Sequence, residues 1–182
     1  MKSDYRIFVG AFPTGKLADQ IQALRQQHDP KTAFITPPHV TLWGTVWRSG
    51  PATPENEAET IAKLETFAHQ IQPFGLGLGG IASFPPGHRI IYLAVEKNEG
   101  LLAARHQLVS ALGSDKHHHF TPHLTLTMRL NDQRSNALYA ELLQSEWHLQ
   151  RWSVPIEHLQ LMQRGENDRA WRVIYRLKLQ TY

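Results

Sequence analysis

Two histidine-threonine pairs supply the chemistry most open to this chain. One is His39 and Thr41 in Pro38-His39-Val40-Thr41-Leu42, and the other is His123 and Thr125 in Pro122-His123-Leu124-Thr125-Leu126. Both stretches read Pro-His-aliphatic-Thr-Leu, and the histidines stand 84 residues apart. An ordinary imidazole titrates near pH 6.5, so one copy can be neutral while another is protonated, as paired general acid-base catalysis requires. Each threonine hydroxyl, two residues on, can donate to a non-bridging phosphoryl oxygen whose charge grows in the transition state. The reaction these groups suit best is opening of a ribose cyclic phosphodiester, with nucleophile and leaving oxygen in line across phosphorus. Such a scheme needs no metal and no cofactor.

That chemistry requires both pairs on firm elements facing one space. Within each copy the residues alternate as in a half-buried strand, with Val40 and Leu42 opposed to His39 and Thr41, and Leu124 and Leu126 opposed to His123 and Thr125. Apolar periodicity predicts strands over 6–12, 35–46, 74–81, 89–95, 120–130, 154–164 and 170–179. Leu17, Ile21 and Leu24 recur at helical spacing until His28-Asp29-Pro30. Thr53-Pro54-Glu55 opens a second helix, with Ile61 and Leu64 inward. Further helices are predicted over 98–112, stopped by Gly113, and over 132–143. The alternating glycines of 74–81 lack the lysine of a phosphate loop and read as a strand with close backbone neighbours. Strand-helix-strand-helix occurs twice, with the His-Thr strand second each time. This order predicts an α+β fold of two pseudo-symmetric lobes, each an antiparallel sheet backed by helices, with a cleft between them. No linker separates them, so residues 1–182 are read as a single bilobal domain.

Bulk composition narrows the class. With 182 residues, 41% hydrophobic and 19% charged, the chain has ordinary globular composition. A net charge of +3 and a pI near 9.3 favour an anionic partner without forming a nucleic-acid-binding tail. The absence of cysteine excludes disulfides, thiolate metal sites and a cysteine nucleophile. The opening residues run into an apolar strand without a secretion-signal core, and no stretch is apolar for long enough to cross a bilayer. A cytoplasmic protein with no membrane association is expected. A monomer is the favoured oligomeric state.

The paired His-x-Thr strands, each flanked by apolar residues, resemble those of the two-histidine (2H) phosphoesterase superfamily. Within it the likeness is to the branch of 2′-5′ RNA ligases and RNA 2′,3′-cyclic phosphodiesterases. The resemblance spans most of the chain, including the opening strand, the element order and the terminal hairpin. It implies a bilobal fold about a pseudo-twofold axis, with the histidines meeting in the cleft. The implied activity is metal-independent opening of 2′,3′-cyclic phosphates on RNA ends or small nucleotides, with reverse 2′-5′ ligation as a further activity. Matched by position, His39 and Thr41 form the first-lobe pair, and His123 and Thr125 the second. The near twofold makes the two roles exchangeable, with His123 taken as base and His39 as acid.

Two residues are candidates for holding substrate. Members of this branch often carry an arginine five residues after the second histidine, where this chain has Met128, followed by Arg129. Positions 123, 125, 127 and 129 share one strand face, so Arg129 lines the cleft if no bulge intervenes. Trp43 shares parity with His39 and Thr41, which suits it either to stack on a base or to cover the lobe interface. Plainer readings fit the rest. His117-His118-His119 is read as solvated loop rather than a metal site. His88-Arg89 and the Arg169, Arg172 and Arg176 series are able to meet an RNA backbone, although a solvated face accounts for each more simply. Trp171 and Tyr175 read as core. No Gly-x-Ser-x-Gly elbow appears, which disfavours triad hydrolysis. Two other functions remain open: a non-catalytic nucleotide- or RNA-binding module using the same cleft, and an esterase for a non-RNA cyclic phosphate such as ADP-ribose 1″,2″-cyclic phosphate.

Overall fold

The computed structural model describes residues 4–68, 70–116 and 119–180. Strand β1 (Asp4–Ala11) buries Tyr5, Ile7, Val9 and Ala11 on one face. Helix α1 (Lys16–His28) follows and buries Ile21 and Arg25. Helix α1 ends at His28, ahead of Asp29-Pro30 as expected, and a further short helix that the pattern did not predict begins at once. Asp29 caps this helix, α2 (Pro30–Ile35), accepting a hydrogen bond from the Thr32 backbone N–H while Pro30 takes the first turn. The strand predicted from residue 35 therefore starts only at β2 (Val40–Ser49). A 3₁₀ turn (Pro54–Glu57) leads into α3 (Ala58–Ala68) and then β3 (Phe74–Phe84) and β4 (Ile90–Val95).

Helix α4 (Glu99–Leu112) is capped by the Asn98 side chain and closed by Gly113 at φ 87°. The second His-Thr strand, β5 (His123–Thr127), is shorter than the periodicity predicts. After α5 (Asp132–Leu143) and a one-turn α6 (Glu146–Leu149), the chain makes β6 (Trp152–Ile156), β7 (His158–Gly165) and β8 (Arg172–Lys178). Among the described residues no helix is long and apolar enough to cross a membrane.

All eight strands join one antiparallel sheet in the order β6-β3-β4-β5-β2-β1-β7-β8. The α+β class with antiparallel sheets is as expected, but the two sheets are continuous through the β2–β5 contact. The predicted strand over 154–164 is two strands, one pairing with β3 and the other with β1. Its buried positions switch from even (Val154, Ile156) to odd (Leu159, Leu161), a phase change that one strand cannot make. The halves of the sheet are thus not the halves of the chain. The C-terminal hairpin β7-β8 returns to β1, while 74–127 build most of the other side. One buried cluster runs across both, from Ile7 and Val40 to Leu93 and Leu124.

Candidate active site

Strands β2 and β5 meet at a single residue pair, Val40 opposite Leu124. Antiparallel register then sets His39 across from Thr125 and Thr41 across from His123, on the face away from the buried Val40 and Leu124 side chains. The histidines become diagonal neighbours, with backbones roughly 7–8 Å apart. A local twofold through the Val40–Leu124 pair exchanges one His-Thr pair with the other.

The twofold extends to how each ring is held. His39 Nδ1 lies 2.8 Å from the Pro37 carbonyl oxygen, and His123 Nδ1 lies 2.8 Å from that of Thr121. A carbonyl only accepts, so Nδ1 donates in both, leaving Nε2 as the basic nitrogen of each neutral ring. Aromatic rings seat both imidazoles. Phe8 and Phe12 stack on His39 at centroid distances of 4.8 and 5.3 Å, and Phe84 and Tyr92 approach His123 at 4.8 and 5.2 Å. Gly10 lies below the first seat, where a Cβ would come within 3.0 Å of the Phe8 ring and 3.2 Å of the Phe12 ring.

Burial lowers the His39 imidazole from 6.5 to about 4; the Pro37 carbonyl opposes this, and the positive charges of Arg25 and His123 reinforce it. Arg25 is itself 2% exposed, an arginine on the buried stripe of α1 one turn after Ile21. It donates to Gln22 Oε1 and to the carbonyls of Thr32 and Thr36. Burial lowers its guanidinium to about 10, only partly offset by Asp29. Asp29 is buried too, which alone would raise its carboxyl. The backbone N–H groups of Met128, Thr32 and Arg129 and the Thr32 hydroxyl outweigh this and hold it low. One carboxylate thus ties the α1–α2 corner to the end of the second His-Thr strand.

The strand alternation that places His39, Thr41, His123 and Thr125 fails just beyond each threonine, in the same way. Opposite β1, Thr41 pairs with Gly10 but Trp43 with the adjacent Val9, leaving Leu42 as a bulge residue. Opposite β4, Thr125 pairs with Tyr92 but Thr127 with Ile91. Both bulges turn the next side chain inward. Trp43 is therefore not a cleft residue: it is 1% exposed, and its indole N–H donates to the Gly113 carbonyl at 2.8 Å. Thr127 is buried likewise. Arg129 nevertheless reaches the cleft, because the chain has left the strand by then and Asp29 holds its backbone.

A cavity of about 250 Å³ opens beside His39, with Thr41, Thr125 and Arg129 in its wall. Three more arginines line it, Arg6, Arg25 and Arg164, and among the described residues no carboxylate does. Trp171 lines it as well and is half-buried there rather than part of the core, with its backbone N–H on the Ile35 carbonyl. The Arg6 guanidinium lies 5.0 Å from the Trp47 ring and 5.5 Å from that of Trp171. Parity along β1 would have found Arg6, which shares a face with Phe8. Nothing in the linear pattern marks Arg164 or Trp171, since β7 reaches this cavity through the crossover. Among the described residues, no three His, Cys, Asp or Glu side chains gather as a metal site would need. His117 and His118 lie outside the described residues.

Comparison with known proteins follows the same lines. A family model described as the 2′-5′ RNA ligase superfamily matches residues 13–168. A Bacillus cytotoxicus protein named "Putative phosphoesterase" is 30% identical over 164 residues, 89% of this chain and 90% of that protein. A Bacillus anthracis protein of the same name is equally similar. Among solved structures, TT0787 of Thermus thermophilus superposes with TM-score 0.65 at 20% identity, covering 96% of this chain and 97% of that one. E. coli LigT complexed with 3′-AMP gives TM-score 0.59 at 19% identity, covering 97% and 99%. These last two are likenesses of fold.

Proposed function

The chain belongs to the 2′-5′ RNA ligase superfamily of phosphoesterases, and from that premise we propose that it opens 2′,3′-cyclic phosphates by metal-independent acid-base catalysis between His39 and His123. The observation that carries this reading is the Val40–Leu124 pairing, which makes the two His-Thr pairs diagonal neighbours. A phosphate between them has an imidazole on either side and a threonine hydroxyl across from each.

In this reading a water attacks phosphorus, one Nε2 takes the water proton, and the other ring gives a proton to the departing ribose oxygen. The P–O bond to that oxygen breaks as the new one forms, giving a phosphomonoester. Thr41 and Thr125 donate to the non-bridging oxygens, and Arg129 and Arg25 offset the growing negative charge. The low pKa of His39 favours it as the base, because its ring is neutral at pH 7; His123 is then the acid. This reverses the assignment suggested by the sequence. The substrate is an RNA end or a small nucleotide, and 2′-5′ ligation is the same ring opening with an RNA 5′-hydroxyl attacking in place of water and the P–O3′ bond breaking. The nucleotides in solved structures of E. coli LigT, among them 3′-AMP, agree with that class.

The test is incubation with 2′,3′-cyclic AMP and with RNA ending in a cyclic phosphate, followed by phosphorus NMR in the presence of EDTA. A phosphomonoester signal that the chelator does not suppress is expected. Binding of the nucleotide without turnover would instead identify a non-catalytic module.

A further inference from the structure

The open face of β1 does not end at His39. Gly10, beneath that ring, pairs with Gln160 of β7, and Gln160 pairs with Arg176 of β8; one step along, His158 pairs with Lys178. Antiparallel partners share a sheet face, so these four side chains continue the face that carries Phe8, Phe12 and His39. They wall a groove of about 440 Å³ whose inner end is Phe12, the ring stacked on His39. Strands about 4.8 Å apart put β7 roughly 10 Å and β8 roughly 14 Å from β2, within one or two strides of a nucleic-acid backbone.

The charge of this groove has no structural use in the protein. Arg176 and Lys178 are exposed, and among the described residues neither has a carboxylate within ion-pair distance; Glu157 is the groove's single acid. The arginine-lined cavity lies along β1 toward Arg6, and this groove lies toward Phe12, so cationic walls stand on both sides of His39. A cyclic mononucleotide, with one phosphate at the histidines, leaves the groove empty.

We propose that the Arg176–Lys178 groove is a second phosphate subsite, which takes the phosphodiester next to the scissile group, so that the protein acts on oligonucleotide ends in preference to mononucleotides. The inference rests on the cyclic-phosphate reading above. Gln160 and His158 add donors to the phosphate oxygens, and Phe12 offers a ring edge to the intervening nucleoside.

The test compares kcat/KM for 2′,3′-cyclic AMP and for a tetranucleotide ending in a 2′,3′-cyclic phosphate, in the wild type, the Arg176→Ala/Lys178→Ala double variant and Arg176→Lys. The wild type should favour the tetranucleotide at least tenfold. The double variant should bring it down to the mononucleotide's value, and Arg176→Lys should keep most of the preference. Losing one neutralised phosphate should also flatten the slope of log(kcat/KM) against log salt by about 0.7 for a single strand. Equal values for the two substrates in the wild type, or a preference that survives the double substitution, overturns the proposal while leaving cyclic-phosphate opening intact. If neither substrate is opened, the functional reading fails separately. Fluorescence anisotropy of the labelled tetranucleotide then decides the groove: at least fivefold weaker binding by the double variant supports it, and equal binding overturns it.

Discussion

At the residue scale, the two histidines share a tautomer, and the surroundings of His39 disfavour its charged form. Burial and the nearby Arg25 make His39 hard to protonate, which suits it to the proposed role of base from well below its ordinary range. The acid limb of kcat/KM, which reports the base of the free enzyme, should therefore lie near pH 4 rather than 6.5; a rate profile measured from pH 3.5 to 8 checks this. The same depression has a stability consequence. The unfolded chain binds the proton between pH 6.5 and 4 and the folded chain does not, so His39 adds stability above 6.5 that is lost as pH falls toward 4. Asp29 behaves alike with respect to sign: its carboxyl is held low, so its contribution is present above the carboxylate range and is lost in acid. Asn at position 29 offers an acceptor on one side only, so its amide N–H faces either the Thr32 N–H or the N–H groups of Met128 and Arg129. Asp29→Asn should cost about 2 kcal/mol at pH 7, a fall in Tm of roughly 4–8 °C for a chain of this size. The two melting curves should converge in acid.

At the scale of elements, the two bulges after Thr41 and Thr125 separate what a sequence can reveal from what it cannot. Alternation correctly puts both histidines and threonines on one face, because a strand's period of two is enforced by the buried Val40, Leu42, Leu124 and Leu126. It fails at Trp43, since an extra residue in β2 turns that side chain inward before a second bulge at Thr45 restores the phase, and the cause lies in distant groups. The Gly44 N–H donates to Asp115, which Arg105 holds through two hydrogen bonds while also donating to the Leu42 carbonyl. Gly44 itself has φ 102°, and a Cβ there would lie 2.8 Å from the Ile7 carbonyl oxygen. Gly44→Ala should therefore cost about 1–3 kcal/mol, read as a lower urea midpoint with unchanged slope. The α2 cap was legible in Asp29-Pro30 and the β6–β7 break in the parity switch between Ile156 and Leu159, although neither breaks the apolar content that a periodicity search follows. Arg25 was legible in part, as a charge on an apolar stripe. The clustering of Arg6, Arg164 and Trp171 was not, because it depends on which strands meet.

On the scale of the whole molecule, the duplicated phrase became the middle of one sheet, with His39 just ahead of β2 and His123 opening β5. The crossover of β7-β8 gives the β1 side Arg164, Arg176 and Lys178, so the cationic walls gather around His39. A centre of this kind should act as one unit, because neither proton transfer is useful without the other. The decisive measurement is kcat/KM on a 2′,3′-cyclic phosphate for His39→Ala, His123→Ala and the double variant. Each single substitution should lose on the order of 10² to 10⁴ with little change in Tm, and the double variant should be scarcely worse than either. Full turnover in either single variant, or losses that simply multiply in the double, would contradict a phosphate held between the two rings.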